Sequence, residues 1–222
     1  IMGYHNFLLG TAIAGVIVSA GSSPSIAQSA PDLDSLTATQ AAADLCAGKI
    51  TSKALTTAAL ARAKANPNLN GFITLDEAGA MKAAEAFDNR PKKGSCRPLG
   101  GVPIVIKDNI EVAGLPASAG TAALKAYTPK KDAPVAAKLR AAGAIIIGKT
   151  NMHELAFGIS GYNAAFKTGA ETGVRNAYDG TRIAGGSSSG TGAAIGARIV
   201  TAGLGTDTGG SVRAPASYNG LI

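Results

Sequence analysis

The spacing of apolar positions divides the chain after residue 36 into a helical first part and an alternating second part. In the first part, apolar residues recur at helical spacing behind threonine and aspartate residues that can cap a helix. They predict three helices, which run from Thr37 or Thr39 to Gly48, from Thr51 to Asn66, and from Asp76 to about Asn89. A short strand is predicted at 72–75. These elements form a helical layer that carries no evident chemistry.

From Gly100 the pattern changes to apolar runs that alternate with helices. Two runs are apolar at every position, as in strands that are buried on both faces. Two further stretches have helical periodicity, and one short stretch is extended. The predicted strands are 102–106, 144–147 and 204–206, and the predicted helices are 132–142 and 188–200. This alternation indicates an α/β fold in which helices cover a sheet.

The first 30 residues have the pattern of a signal peptide. The apolar run from Phe7 to Ala20 is about 14 residues long, whereas a membrane span needs about 20. Small residues follow, and 25–27 or 28–30 resembles a cleavage site, although His5 is the only ionisable side chain before the run. We therefore expect residues 1–30 to be removed on export to the periplasm or the extracellular space, with no stable membrane association afterwards. The alternative is a buried first helix.

Composition gives no support for a nucleic-acid partner. The formal net charge is +7, from 21 Lys and Arg against 14 Asp and Glu, and the basic residues are scattered singly or in short groups. Aromatic residues make up 5% of the chain and Trp is absent, so stacking platforms for single-stranded nucleic acid are not expected. We predict no nucleic-acid partner.

Two cysteines, Cys46 and Cys96, lie in the first half of the chain. In an exported protein they suggest a disulfide, and the alternative is a pair of buried thiols. The mature chain would keep one histidine, His153, which with two cysteines cannot supply a convincing metal site. We predict neither a metal nor a cofactor.

The candidate chemistry lies in two Gly-Gly-Ser sequences, at 185–187 and 209–211. If Ser211 attacks a carbonyl, the backbone N–H groups from residue 208 to residue 211 can form a nest for the oxyanion. The candidate oxyanion and substrate-binding residues are therefore Thr208, Gly209 and Gly210. A serine needs a base, and with so little histidine a lysine made neutral by burial is the remaining candidate. Lys107 and Lys149 both follow apolar runs, so composition does not choose between them.

Other readings of the same residues are weaker. The chain has no G-x-G-x-x-G in the strand–helix setting that a phosphate loop needs. Residues 186–190 satisfy G-x-S-x-G with Ser188 as nucleophile, but 181–185 is a poor strand and no histidine follows. His153 as a base is equally weak, because a lone histidine near a helix start is more often structural.

Three ordered stretches strongly resemble the amidase signature family. They are GGVPIVIKDNI, AGGSSSGTGAA and GLGTDTGGSVRAPASYNG, and the match runs from about Thr37 to the last residue. Details such as HELAFG and PASYNG look closer to the bacterial hydrolases of aryl and small amides than to other branches.

The resemblance implies a Ser–cis-Ser–Lys triad that hydrolyses a carboxylic amide through an acyl-enzyme. Ser211 matches the nucleophile, Ser187 the bridging serine after a cis peptide bond, and Lys107 the base. Asp207 and Arg213 are expected to support the nucleophile's loop. The serines that follow Ser187, at 188 and 189, are expected to cap the next helix. The implied fold is a mixed β-sheet covered by helices on both faces.

Family members are about twice this length, and the chain begins with Ile before Met2 and ends on apolar residues. We therefore expect residues 31–222 to be the N-terminal part of a single amidase domain, incomplete at the C-terminus. Two alternatives stay open: an inactive truncated amidase, and the amidase-like subunit of a tRNA-dependent amidotransferase, which works in the cytoplasm. A small-molecule amide is the expected partner, and homodimer formation is left open.

Overall fold

A computed structural model describes residues 31–90, 96–167 and 173–221. The predicted signal peptide, residues 1–30, lies outside the described residues. The helices are α1 (Ala38–Cys46), α2 (Ser52–Ala65), α3 (Glu77–Asp88), α4 (Pro134–Ala141), α5 (Ser189–Gly196) and α6 (Arg213–Tyr218). The strands are β1 (Phe72–Leu75), β2 (Pro103–Lys107), β3 (Ile145–Thr150) and β4 (Gly203–Leu204). Short 3₁₀ turns occur at Pro67–Leu69, Ala122–Leu124 and Glu154–Ala156.

The first three helices begin at capping side chains that the sequence predicted. Thr37 Oγ1 accepts a hydrogen bond from the backbone N–H of residue 40 at 3.1 Å, which decides between Thr37 and Thr39 as the cap of α1. Thr51 caps α2 in the same way at 3.1 Å, and Asp76 caps α3 at 3.0 Å. Each cap satisfies a backbone donor that a helix start would leave unpaired.

The sheet has four strands among the described residues, in the order β1-β3-β2-β4. Strand β2 pairs in parallel with both β3 and β4, whereas β1 pairs with β3 antiparallel. Every residue of β2 and β3 is buried, as continuous apolar runs predict for central strands. The expected mixed sheet with covering helices is confirmed.

Two apolar clusters pack on opposite faces of this sheet. Val105 of β2 belongs to a cluster with residues of α2, α3 and α5. Its neighbours Ile104 and Ile106 belong to a second cluster, with residues of α1, α2 and α4. Because successive side chains of a strand point to opposite faces, Lys107 is on the Val105 face, towards α5.

The structure differs from the predicted elements near the C-terminus. Helix α5 ends at Gly196 and not at residue 200, because Arg198 adopts a left-handed conformation (φ 56°) that an α-helix cannot continue. Helix α6 was not predicted. It includes Pro215, which is tolerated within the first turn of a helix but reads as a turn signal in sequence. On α4, Val135 is 48% exposed and Ala136 is the buried residue.

Cys46 and Cys96 form a disulfide, with Cα atoms 5.3 Å apart. The bond joins the end of α1 to the segment that leads into β2. The sequence left open whether these residues form a bridge or a pair of thiols, and the structure has the bridge. None of the helices in the described ranges combines the length and the apolar character that a membrane span needs.

Candidate active site

Lys107, the last residue of β2, has a fully buried side chain. Its Nζ lies 2.6 Å from Ser187 Oγ and 2.8 Å from Thr206 Oγ1. A third neighbour, the carbonyl oxygen of Thr206, is 3.4 Å away. Oxygen atoms without formal charge therefore surround this amine, and no ion pair joins it to a carboxylate of the described residues.

Burial changes the protonation of this amine. It lowers the pKa of Lys107 from 10.5 to about 8, although the charge of Asp207 acts in the opposite direction. A lysine with such a pKa has a substantial neutral fraction near pH 8, and only the neutral amine can accept a proton. The setting therefore suits a base.

Ser187 is held against the amine by an unusual backbone. The Gly186–Ser187 peptide bond is cis, as the resemblance implied. A Cβ on Gly186 would lie 2.8 Å from the backbone nitrogen of Gly161, so only glycine fits there. The carbonyl of Ser187 accepts a hydrogen bond from the backbone N–H of His153 at 3.1 Å. The buried hydroxyl of Ser187 is thus fixed beside Lys107 Nζ.

Ser188 joins the two serine loops to each other. Its backbone N–H donates to the carbonyl of Ser211 at 3.0 Å. Its hydroxyl donates to the carbonyl of Thr206 at 3.1 Å and accepts from the N–H of Thr206 at 3.2 Å. Ser188 occupies the N-cap position of α5, but its side chain does not cap the helix, so the expected capping role is wrong. The hydroxyl is engaged with backbone, which argues against Ser188 as a nucleophile.

Asp207 organises the loop that carries Ser211. Its carboxylate accepts backbone hydrogen bonds from Gly210 at 2.7 Å, from Val212 at 3.0 Å and from Arg213 at 3.2 Å. The Arg213 guanidinium adds two bonds at 3.0 Å each, and together these donors hold the pKa of Asp207 far below its usual range. These contacts agree with the expectation that Asp207 and Arg213 support the loop of Ser211.

The predicted oxyanion nest keeps three of its four donors. The N–H of Gly210 is already bonded to Asp207. The N–H groups of Thr208, Gly209 and Ser211 have no hydrogen-bond partner among the described residues. Gly210 has φ of 115°, which only glycine adopts readily, and a Cβ on Gly209 would meet nothing within 4 Å. Three backbone N–H groups of this loop are thus unbonded, and Ser211, which lies in the same loop, is half-buried.

Lys149, the other candidate base, is part of a separate buried cluster. Its Nζ donates to the carbonyl oxygens of Pro116 at 2.9 Å and Asp108 at 3.1 Å, and lies 3.6 Å from Asp108 Oδ1. The carboxylate of Asp108 also accepts from the hydroxyl of Ser118 at 2.5 Å. Lys149 therefore has a counter-ion and is not hydrogen-bonded to a serine of the described residues, whereas Lys107 contacts Ser187.

His153 takes no part in this arrangement through its ring. The ring lies against Tyr162, and Nδ1 is 3.4 Å from Ser160 Oγ. Within the described ranges, no group of three His, Cys, Asp or Glu side chains is placed to hold a metal ion.

Comparison with known proteins decides the family. The family model described as Amidase matches residues 54–222, which is most of the chain. The chain belongs to the amidase family. Its amidase fold is shared with solved structures: the native peptide amidase from Stenotrophomonas maltophilia superposes with a TM-score of 0.76 at 36% sequence identity, covering 83% of this chain and 39% of that one.

Curated relatives of this amidase-family chain include both a hydrolase and a component of an amidotransferase. The mandelamide hydrolase from Pseudomonas putida is 52% identical over 188 residues, covering 84% of this chain and 37% of that protein. The matching subunit of the glutamyl-tRNA(Gln) amidotransferase from Chloroflexus aurantiacus is 45% identical over 192 residues, covering 86% of this chain and 38% of that protein. The chain thus spans about two fifths of the length of these relatives.

The two buried lysines should respond differently to replacement by methionine in the intact protein. Lys149→Met leaves Asp108 buried without its cation, and we expect a loss of about 3–5 kcal/mol in the free energy of unfolding. Lys107→Met removes an amine that has no carboxylate in contact, so we expect a loss below about 2 kcal/mol. Urea unfolding of the two variants measures both. Equal losses would contradict the inference that Lys149 is the counter-ion that stabilises buried Asp108.

Proposed function

We propose that the intact protein hydrolyses a carboxylic amide to an acid and an amine or ammonia, with Ser211 as nucleophile, Ser187 as proton relay and Lys107 as base. One observation carries the proposal: a fully buried amine with a pKa of about 8 lies 2.6 Å from the hydroxyl of Ser187. Membership of the amidase family supplies the reaction class.

The proposed reaction has two halves. Neutral Lys107 takes the proton of Ser187, which takes that of Ser211, whose Oγ attacks the amide carbon. The proton returns through Ser187 to the leaving nitrogen, because an amide does not expel an amide anion. Water then attacks the acyl-enzyme carbonyl while Lys107 takes its proton through Ser187. The proton returns to Ser211 Oγ as the bond to the acyl group breaks and the acid leaves.

The three unbonded N–H groups around Ser211 suit the charge that develops in this reaction. When Oγ attacks, the carbonyl oxygen becomes an oxyanion, and preorganised donors stabilise it without rearrangement. Asp207 supports this role indirectly, since it takes the Gly210 N–H and shapes the loop. Oxyanion binding is thus proposed for Thr208, Gly209 and Ser211, and Gly210 contributes its backbone conformation.

The proposed substrate is a small-molecule amide, which fits the mandelamide hydrolase relative. The amidotransferase relative favours a second candidate, in which the protein would act together with tRNA. The disulfide between Cys46 and Cys96 supports the first candidate, since disulfides are rare in the cytoplasm. We therefore extend the proposal to an exported enzyme that has no nucleic-acid partner.

Replacing the nucleophile tests the function directly. In the intact protein, Ser211→Ala should lower amide turnover by about 10³-fold or more and abolish covalent labelling by a fluorophosphonate probe. Ser217→Ala is the matched control, because Ser217 is an exposed serine on α6, and it should be labelled like the parent. Equal labelling of the parent and the Ser211→Ala variant would refute the proposal.

The pH dependence of kcat/KM tests the proposed role of Lys107 as the base. Protonated Lys107 cannot accept a proton, so kcat/KM should rise with pH, by about tenfold per unit, and level off above the pKa of about 8. Lys107→Met should keep the fold and lower kcat by at least about 100-fold at every pH. Unchanged turnover in this variant at neutral pH would exclude Lys107 as the base.

The proposed export can be tested separately from the catalytic roles. Protein recovered from the exported fraction should begin near residue 28 or residue 31, and Cys46 and Cys96 should resist alkylation until a reductant is added. Mass spectrometry of the intact chain measures both. An uncleaved N-terminus with two freely reactive thiols would favour the cytoplasmic candidate.

A further inference from the structure

Thr206 contacts the proposed base through two of its oxygen atoms. It follows β4 and precedes Asp207, so it enters the loop that carries Ser211. Its Oγ1 is 2.8 Å from Lys107 Nζ, and its carbonyl oxygen is 3.4 Å from the same atom. Ser187 Oγ at 2.6 Å is the third neighbour. Of the three hydrogen-bonding contacts that the amine makes with described residues, two therefore belong to one residue, which takes no part in the proposed proton relay.

The three neighbours differ in what they can do with a neutral amine, which has two N–H groups and one lone pair in a tetrahedral arrangement. A carbonyl oxygen only accepts, so the Thr206 carbonyl takes one N–H. A hydroxyl can accept, and Thr206 Oγ1 at 2.8 Å takes the second. The lone pair is then directed at Ser187 Oγ, whose proton it must receive. Without the Thr206 hydroxyl, the second N–H could turn to Ser187 and block the transfer.

Thr206 is itself held on three sides. The hydroxyl of Ser188 accepts from the Thr206 N–H and donates to the Thr206 carbonyl, which fixes the backbone on both sides of the residue. Asn109 Nδ2 donates to Thr206 Oγ1 at 3.1 Å, which fixes the side chain. Asn109 lies two residues after Lys107, so the segment that directly follows β2 fixes the side chain that contacts the proposed base.

We infer that Thr206, braced by Asn109, is a positioning residue that holds both N–H groups of neutral Lys107 and so directs the lone pair at Ser187. The inference rests on the proposed role of Lys107 as base. The charged group that acts on Lys107 in the described part of the chain is Asp207, which Arg213 pairs. Neither Thr206 nor Asn109 carries a formal charge, so they act on the amine through hydrogen bonds and through the direction of those bonds.

Thr206→Val and Thr206→Ser in the intact protein separate positioning from general stability. Valine keeps the shape and the carbonyl but removes the hydroxyl, so kcat should fall about 10- to 100-fold with little change in KM. The acidic limb of kcat/KM should move to lower pH, because an oxygen that stabilises the ammonium form is gone. Serine retains the hydroxyl and should restore most of kcat. Asn109→Ala should lower kcat less, by about fivefold.

The rate of fluorophosphonate labelling at Ser211 gives a readout that does not depend on the amide chosen, and it should fall in parallel with kcat for Thr206→Val. A loss of kcat with an unmoved acidic limb and no rescue by serine would show a merely structural role and overturn the inference. A rise in kcat would overturn it as well, since it would mean that the Thr206 hydroxyl donates into the lone pair. If Ser211→Ala stays active, the proposed function fails instead.

Discussion

The site depends on a buried lysine amine that contacts no carboxylate of the described residues. A charged amine loses hydration when it is buried, and a contacting carboxylate would offset that loss and keep it protonated. Around Lys107, the protein places two hydroxyls and a carbonyl, which can bond to the neutral amine as well as to the charged one. The charge of Asp207 does act on Lys107, but this carboxylate accepts hydrogen bonds from the Arg213 guanidinium and from the backbone of its own loop. The result is a lysine whose pKa allows proton exchange near neutrality.

Lys149, on the neighbouring strand β3, is a buried lysine that does have a carboxylate partner. Lys149 is equally buried, and burial lowers its pKa too, but the charge of Asp108 acts against that shift. The ion pair and two carbonyl contacts tie β3 to the segment after β2. The two lysines both follow apolar runs but differ in their contacts. Lys149 lies beside the carboxylate of Asp108, which its own local sequence does not contain, whereas Lys107 contacts Ser187 and Thr206.

The contrast between the two lysines shows which features could be predicted from the sequence and which could not. Elements whose causes are local were predicted, such as the caps at Thr37, Thr51 and Asp76 and the fully apolar strands. The two lysines could not be separated by composition, because their contacts come from residues distant in sequence, such as Ser187 and Thr206. The prediction that Ser188 caps α5 was wrong for the same reason. A serine before a helix usually caps it, yet here the partner is a backbone 18 residues away.

Close backbone approach is what lets these distant segments meet. A Cβ on Gly190 would lie 2.2 Å from the carbonyl oxygen of Gly71 and 2.6 Å from that of Asn151, so α5 can enter the fold at this depth only with glycine there. Gly186, which precedes the helix, meets the same requirement against the backbone of Gly161. Because α5 begins at Ser189, its depth sets where Ser187 and Ser188 lie, and Ser188 in turn bonds to Thr206 and Ser211. The glycines of this motif therefore set the distance between Ser187 Oγ and Lys107 Nζ, because a bulkier residue would move α5 outwards and separate the two.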